Sequence, residues 1–222
     1  ISTVIGLAFL LKDPDQLLGG PTDYGITCGL IPTNTPGVDV SKRHDPLGVP
    51  FVNCPTTGTN VVMPLSCVIG ERDGIGHGWT MLMDCLSAGR GISLPSLSAG
   101  GSQALLRAVS SFGVIRQQFG MSIGNFEGIE EPLARITGKT LLLKAGRDYT
   151  CGAIDQGEKP SVISAILKLH STEMFRDVVN DSMDLMGGAG ITQGPRNVIA
   201  NAYKAAPIGI TVEGANILTR TL

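Results

Sequence analysis

Ile210-Thr-Val-Glu-Gly-Ala-Asn-Ile-Leu-Thr-Arg220 is the stretch that decides how the rest of the chain is interpreted. Glu213 stands between a β-branched apolar run and a glycine, and the pattern predicts a helix from about Gly214 onward. A general base can be positioned at such a helix entrance, because an apolar wall desolvates a carboxylate and raises its pKa. The same residue could instead only complement a helix dipole, so the local sequence leaves both interpretations open.

The composition indicates a globular protein with apolar surface to spare. The 222 residues are 42% hydrophobic and 16% charged, which suits one large or two modest domains. The low charge leaves part of the apolar surface for an interface. The net charge of −2, without a basic block, does not support nucleic-acid binding.

The cysteines and the two ends bear on compartment and completeness. No C-x-x-C pair or zinc pattern occurs, so we expect reduced thiols in a cytoplasmic protein, with peripheral contact at the inner membrane as the alternative location. The five cysteines are Cys28, Cys54, Cys67, Cys85 and Cys151. The apolar run Thr3–Leu11 lacks the basic region of a signal peptide. The chain begins with Ile1 inside that run and stops at Leu222 inside a helical pattern, so we expect an internal piece of a longer protein.

Residues 1–72 are expected to form an N-terminally incomplete antiparallel β domain, because turn signals recur about every 10 residues. The predicted strands are a buried one at Thr3–Leu11, then Tyr24–Pro32, Val38–Val40 and Asn60–Leu65.

Residues 73–222 are expected to form a C-terminally incomplete antiparallel helical bundle, which makes the fold class α+β. Helical periodicity starts at Trp79, and a long helix is predicted from about Ile92 to Phe119, with Pro95 tolerated only near its first turn. Further helices are predicted over Pro132–Ile154, Lys159–Met186 and Asn197–Ala205, and from Gly214 onward.

Four short stretches are candidates for chemistry, since no G-x-G-x-x-G or P-loop is present and the histidines are isolated, which argues against a metal site. They are Gly89-Arg90-Gly91, Arg116-Gln-Gln-Phe-Gly120, Gly187-Gly188-Ala189-Gly190 and Thr211-Val-Glu-Gly214. Taken singly, each has an ordinary alternative: Arg90 as a helix-start cation paired with Asp84, Arg116 as a solvated charge, and the glycine run as a helix C-cap.

In order and spacing, these four stretches resemble the acyl-CoA dehydrogenase family over essentially the whole chain. The family has an arginine motif on its first long C-terminal helix, then R-x-x-F-G, G-G-x-G and E-G-T, the last being E-G-A here. The passages Phe126–Arg135 and Thr33–Val40 are similar to the bacterial fatty-acid-degradation branch, which acts on long and medium chains. The family fold is an N-terminal helical domain, a middle β domain and a helical bundle.

The resemblance implies an FAD-dependent enzyme that oxidises a fatty acyl-CoA to a trans-2-enoyl-CoA, the first step of β-oxidation. It makes Glu213 the catalytic base for the α-proton and assigns Arg90 and Gly214 to substrate binding. Arg116 and Phe119 would reach the FAD of a neighbouring subunit. Gly187, Gly188 and Gly190 would let backbone approach the FAD. The implied partners are an electron-transfer flavoprotein or similar acceptor and further copies of the chain.

Some positions depart from the family pattern or bear on its variants. Some members carry the base just before the helix arginine, where Gly89 stands here, so Glu213 remains the only candidate and the pocket gains room for a longer acyl chain. The departures put the contacts to FAD and CoA in doubt; they are Ser87, Glu127, Asp184 and Ala215. Asp184 and Glu127 would be unfavourable near a pyrophosphate unless paired or turned away.

Two other functions remain open at this stage. An acyl-CoA oxidase performs the same dehydrogenation with oxygen as the acceptor. A non-catalytic lipid- or protein-binding bundle that has lost its flavin is the alternative from another class, and it does not explain the carboxylate at Glu213.

Overall fold

The computed structural model describes residues 2–221, without the side chain of Ser87, which therefore lies outside the described part of the chain. The chain forms two compact units. One comprises residues 1–45 and 50–85, and the other residues 46–49 and 86–222. The domain boundary expected after residue 72 stays a prediction.

A two-stranded antiparallel sheet is the main element of the first unit. β1 (Val4–Lys12) pairs with β2 (Asp23–Pro32), from Val4 opposite Pro32 to Lys12 opposite Asp23. Both strands were predicted to within one residue. The expectation that the first strand is buried was wrong, because its residues alternate between exposed and half-buried, as in a strand packed on one face only.

A shorter strand pair follows, formed by β3 (Val38–Asp39) and β4 (Thr57–Gly58). The strand predicted over Asn60–Leu65 was wrong. Asn60 has a left-handed backbone (φ 51°), and a short 3₁₀ turn over Leu65–Cys67 follows Pro64. A proline cannot donate to a β ladder, and an apolar run alone does not overcome that loss.

Helix α1 (Gly78–Ile115) is longer than predicted, and it contains Pro95 in its interior. The expectation that Pro95 lies in a first turn was wrong. A proline leaves the carbonyl four residues earlier without its helical donor. The hydroxyl of Thr150, on another helix, donates to that carbonyl of Gly91 at 3.0 Å, and Thr150 is itself buried. The proline is therefore tolerated because a distant side chain replaces the missing hydrogen bond.

The other helices complete the bundle in sequence order. They are α2 (Glu127–Asp155), α3 (Ser161–Met186), α4 (Gly188–Ile191), α5 (Ala200–Thr211) and α6 (Asn216–Thr219). The prediction for α3 was confirmed at both ends. α2 begins before the predicted Pro132, and α5 continues through Pro207 to Thr211, so both helices contain a proline in their interior. The last helix begins at Asn216 rather than at Gly214.

The core of the second unit joins α1, α2 and α3 with the entrance to α5. Its buried residues are Leu105, Val109, Ile136, Phe175, Val178, Val179, Leu185 and Ile199. A Cβ at Gly101 would lie 2.6 Å from the ring of Phe175, so glycine allows α1 and α3 to approach closely. These elements confirm the α+β class, a partial antiparallel β region followed by a helical bundle. The segments that connect the helices carry three of the four predicted motifs.

Candidate active site

Glu213 lies in the elbow between α5 and α6, the segment Val212–Ala215. Its backbone is left-handed (φ 56°), and Gly214 follows at φ 89°. A left-handed conformation is rare for a residue with a Cβ, and it persists only where the surroundings hold it. The preceding Ile210 and Thr211 are the last residues of α5. The Glu213 side chain is exposed, so the described residues do not supply the apolar wall that we expected around this carboxylate.

A buried lysine that the sequence analysis did not identify supports this elbow. Lys168 is fully buried on α3, and its ammonium donates hydrogen bonds to the Gly214 carbonyl (2.7 Å), to Asn216 Oδ1 (2.7 Å) and to the Ile210 carbonyl (3.4 Å). The signal was present in the periodicity, because Ala165 and Thr172 place Lys168 on the buried face of α3. A lone lysine on such a face needs partners.

The charge of Arg90 acts on the same lysine. Burial lowers the pKa of Lys168, the charge of Glu213 raises it, and the charge of Arg90 lowers it further. Arg90 is half-buried, and its Nε atom is buried without a hydrogen-bond partner among the described residues. The Gly89-Arg90-Gly91 motif was expected at the start of the long helix, and this was wrong. The motif lies inside α1, because helical structure begins at Gly78. Arg90 and Glu213 thus both act electrostatically on Lys168.

The position before that arginine is open. A Cβ built at Gly89 has no atom within 4 Å. A side chain would fit there without a clash, so the glycine leaves space beside Arg90.

The Arg116–Gly120 motif forms a β-hairpin rather than the last turn of a helix. α1 ends at Ile115, and β5 (Gln117–Gln118) pairs with β6 (Met121–Ser122). The two-residue loop has positive φ at both Phe119 (52°) and Gly120 (82°), which is the pattern of a type I′ turn.

The hairpin presents its motif side chains to solvent. Arg116 is exposed, and the Phe119 ring is 91% exposed, with one edge-to-face contact to Phe126 at 6.3 Å. Ser122 Oγ donates to the carbonyls of Gly113 (2.7 Å) and Val114 (2.6 Å), which ties the hairpin to the end of α1. An aromatic ring that is fully solvated in the single chain is an unusual feature of a surface turn.

The glycine run begins at the C-terminus of α3. Gly187 is left-handed (φ 51°), and its N–H donates to the Met183 carbonyl at 2.9 Å, so the C-cap interpretation holds for this residue. Gly187 and Gly188 are exposed, and a Cβ on either would have no neighbour within 4 Å. Gly190 is buried, and its Cβ would lie 3.3 Å from the Met183 carbonyl oxygen. The first two glycines therefore leave bare backbone open to a ligand, whereas the third permits tight packing.

Asn197 fixes the glycine run to α5, and the sequence analysis used it only as a helix boundary. Its side-chain nitrogen donates to the carbonyls of Gly190 (2.6 Å) and Thr192 (3.1 Å). Its Oδ1 accepts from the N–H groups of Ile199 (2.9 Å) and Ala200 (2.8 Å), which caps the start of α5.

A groove of about 790 Å³ adjoins Gly187 and Gly190. Asp184, which departs from the family pattern, lines this groove, and Lys204 on α5 lines it as well. The carboxylate therefore has a cation on the same groove. Glu127 is the exposed first residue of α2, where the helix dipole favours a carboxylate.

A sequence model of the family described as "Acyl-CoA dehydrogenase, C-terminal domain" matches residues 76–222, more than half of the chain. The chain belongs to the acyl-CoA dehydrogenase family. This confirms the resemblance inferred from the four motifs.

Two curated relatives show how much of a family member is present. The chain is 28% identical over 224 residues to the mitochondrial short/branched chain specific acyl-CoA dehydrogenase of Bos taurus, a match over 99% of this chain and 49% of that protein. It is 50% identical over 101 residues to "Protein HemX" of Proteus mirabilis, which covers 46% of this chain and 59% of that protein. The chain thus spans about half the length of the curated relatives it matches.

Solved structures share the fold at low sequence identity. The acyl-CoA dehydrogenase from Geobacillus kaustophilus superposes with a TM-score of 0.86 at 20% identity, over 99% of this chain and 56% of that one. A structure described as "PigA with FAD and proline" gives a TM-score of 0.81 at 24% identity, over 100% of this chain and 55% of that one. These similarities concern the fold alone.

No helix within residues 2–221 combines the length and the hydropathy that crossing a bilayer requires. The same part of the chain brings together no group of three or more His, Cys, Asp or Glu side chains that could hold a metal ion.

Proposed function

We propose that the full-length gene product is an FAD-dependent acyl-CoA dehydrogenase that oxidises a fatty acyl-CoA to a trans-2-enoyl-CoA, in the first step of β-oxidation, with Glu213 as the catalytic base. The observation that carries this proposal is the strained backbone of Glu213, which is left-handed and precedes Gly214, whose carbonyl accepts a hydrogen bond from Lys168 on α3. Strain of this kind concentrates at functional sites. A residue that served only a helix dipole would not need it.

Glu213 would remove the α-proton of the thioester. The α-C–H group is a weak acid, so the carboxylate must be held close to it and kept from water. The exposed carboxylate is available to a ligand, and binding of the acyl chain would exclude the water. The backbone N–H of Glu213 would donate to the thioester oxygen, where negative charge develops during proton removal. Gly214 gives the elbow the positive φ that this arrangement uses.

The residues of the glycine run and the hairpin fit an FAD. Gly187 and Gly188 leave the backbone bare beside a groove, where a Cβ would take up space that a flavin nucleotide could use. Arg116 offers an exposed guanidinium, which suits a pyrophosphate, and Phe119 offers an exposed ring to the cofactor of a neighbouring subunit. When bound, FAD supplies the acceptor for the β-hydride. The solved structure of the protein called PigA holds FAD on the same fold, which supports this choice of cofactor.

The acyl chain is expected to be of medium or long length. The open space at Gly89, next to Arg90, supports this proposal, and Arg90 would lie near the CoA portion. A series of acyl-CoA thioesters from C4 to C16 tests it. A turnover rate that peaks at the shortest chains would contradict it.

The partners follow from the same family. An electron-transfer flavoprotein or similar acceptor would reoxidise the enzyme. A homo-oligomer would cover exposed apolar side chains on α2 and α3, namely Leu141, Leu142, Tyr149, Val162, Ile163 and Ile166. The proposed location is the cytoplasm, with peripheral contact at the inner membrane as the alternative.

Anaerobic mixing of the flavin-loaded protein with palmitoyl-CoA tests this function. We expect the visible flavin absorbance to bleach and trans-2-hexadecenoyl-CoA to form in equal amount. Rapid reoxidation by air with release of hydrogen peroxide would favour the acyl-CoA oxidase. Binding without bleaching would favour the non-catalytic bundle.

A further inference from the structure

The ammonium of Lys168 uses all of its donors on the elbow that carries Glu213. Its acceptors are the Ile210 carbonyl in the last part of α5 (3.4 Å), the Gly214 carbonyl in the elbow (2.7 Å) and Asn216 Oδ1 on α6 (2.7 Å). An ammonium has three N–H donors, and each meets one acceptor. One side chain from α3 therefore joins the three parts of the chain that define the direction of Glu213.

Asn216 extends this anchor back to α3. Its Nδ2 donates to Thr172 Oγ1 at 2.9 Å and to Glu173 Oε1 at 3.0 Å, and both Lys168 and Asn216 are buried. Thr219 Oγ1 donates to the Gly214 carbonyl as well, at 3.2 Å. The carbonyl of Gly214 thus accepts from two side chains, and the left-handed pair Glu213–Gly214 is held from two directions.

We propose that Lys168 is the positioning residue of the Glu213 site: it fixes the elbow so that the carboxylate and the N–H of Glu213 are aimed together. This inference rests on the proposed function of Glu213 as the base. Loss of the ammonium would remove the lysine donor from the Ile210 carbonyl and from the buried Asn216 Oδ1, and would leave the Gly214 carbonyl with Thr219 Oγ1. The strained conformation at Glu213 would then relax.

The charges around Lys168 are consistent with its place behind the elbow. The pKa of Lys168 is lowered first by burial, is raised by the charge of Glu213, is lowered by that of Arg90 and is raised by that of Glu173.

Glu173 connects this network to other charged groups. It accepts from Asn216 Nδ2 and makes an ion pair with Arg176. His170 and Arg220 line the same groove beside Asn216. Lys168→Met leaves all four of these residues unchanged in sequence.

Lys168→Met in the flavin-loaded, full-length gene product tests the inference, because methionine keeps the length of the side chain and removes the charge and the donors. Lys139→Met is the matched control, since Lys139 makes an ion pair with Asp177 (2.7 Å) at the surface of α2. We expect Lys168→Met to slow anaerobic flavin reduction by palmitoyl-CoA about 100-fold, the loss that follows a displacement of about 1 Å in an active site. The half-saturating substrate concentration should change less than about threefold.

The rate and the half-saturating concentration together separate positioning from a merely structural role. A misdirected base slows proton removal while the substrate still binds, so the rate of flavin reduction should fall and the half-saturating concentration should hold. Lys139→Met should leave both unchanged. A folded, flavin-loaded Lys168→Met protein with the parent rate would overturn the inference.

A second variant and a second readout cover failure to fold and failure of the proposed function. Asn216→Leu removes one of the three acceptors and retains the ammonium, so it should slow reduction less than Lys168→Met does. Amide hydrogen exchange over residues 212–217 should accelerate in both variants relative to Lys139→Met, even if palmitoyl-CoA bleaches none of the proteins. Parent-like exchange over these residues in both variants would overturn the positioning role, whatever the substrate proves to be.

Discussion

The Phe119–Gly120 turn and the Glu213–Gly214 elbow share one backbone conformation, a left-handed residue with a side chain followed by a left-handed glycine. The first is held locally, by the β5–β6 ladder of its own hairpin. The second is held from a distance, by Lys168 on α3. A local turn needs only suitable neighbours in the sequence, whereas an elbow between two helices needs an anchor from elsewhere in the fold. The predictions below test this difference in support.

Gly214→Ala should have the largest effect on stability, and Gly120→Ala is its matched control. A Cβ at residue 214 would lie 3.3 Å from Thr219 Oγ1, which itself bonds the Gly214 carbonyl, whereas a Cβ at residue 120 meets nothing within 4 Å. We expect a loss of about 2–3 kcal/mol in the free energy of unfolding at 214 and about 1–2 kcal/mol at 120. Chemical denaturation of the full-length protein measures both, and equal losses would remove the distinction between the two regions.

Thr150→Val extends the comparison to a second long-range anchor. It removes the hydroxyl that serves the buried Gly91 carbonyl opposite Pro95, so the free energy of unfolding should fall by about 1–3 kcal/mol. Thr137→Val, on the same helix, removes only a bond to the Leu133 carbonyl at an exposed position, and it should cost about 0.5 kcal/mol or less. If the two variants were equally stable, Thr150 would not be the reason that α1 tolerates its proline.

Asn197→Ala should have an intermediate effect. It removes the cap of α5 and the bonds to the glycine run, so we expect a loss of about 1 kcal/mol and a lower content of bound flavin. Asn201→Ala, at an exposed position of α5, is the control. The flavin absorbance of both purified variants measures the content of bound flavin. An unchanged flavin content in Asn197→Ala would contradict a role of the glycine run in the cofactor site.

Phe119→Asn should barely change stability while reducing flavin retention. Asparagine is favoured in a type I′ turn, so the free energy of unfolding should stay within about 0.5 kcal/mol of the parent value. Leu47→Asn is a control with the same backbone, because Leu47 (φ 57°) is also exposed and precedes a left-handed glycine. Loss of flavin in Phe119→Asn alone would assign the exposed ring to the cofactor, and equal retention in both would contradict that role.

The smallest expected effect is the contribution of Lys168 to the pH dependence of the free energy of unfolding. Burial holds the pKa of Lys168 below its ordinary value of 10.5, so between the lowered pKa and about 10.5 the unfolded chain binds a proton that the folded chain releases. The contribution of this residue to the free energy of unfolding therefore rises with pH across that window. Lys168→Met should show a flatter rise than Lys139→Met in denaturation curves recorded between pH 8 and roughly pH 10.5. A parallel rise in the two variants would mean that burial does not shift Lys168.

The elements that the sequence predicted well are those with glycine or proline residues at their ends. α3 was correct because Pro160 precedes it and Gly187 ends it, and β1 and β2 were correct because loops rich in glycine and proline bound them. The helix predicted for α1 was too short because Pro95 was judged by its local effect alone. The hydrogen bond that compensates for this proline comes from Thr150, on another helix. Compensation between residues distant in sequence leaves no local pattern.

The same limit explains what was found and what was missed at the site. The motif residues, including Glu213, stand at turns and helix ends, which sequence patterns mark. Lys168 was missed because its role depends on three acceptors more than 40 residues further along the chain. The exposure of Glu213 was also not foreseen, since the apolar run before it proved to be the end of a helix.

The most direct test of the central claim is Glu213→Gln in the full-length, flavin-loaded protein, with Glu127→Gln as the control. Glutamine keeps the shape of the side chain and cannot accept the α-proton as a carboxylate does. We expect anaerobic palmitoyl-CoA to bleach the flavin of the parent and of Glu127→Gln, and to leave that of Glu213→Gln oxidised. Bleaching of Glu213→Gln at the parent rate would place the base elsewhere and contradict the account.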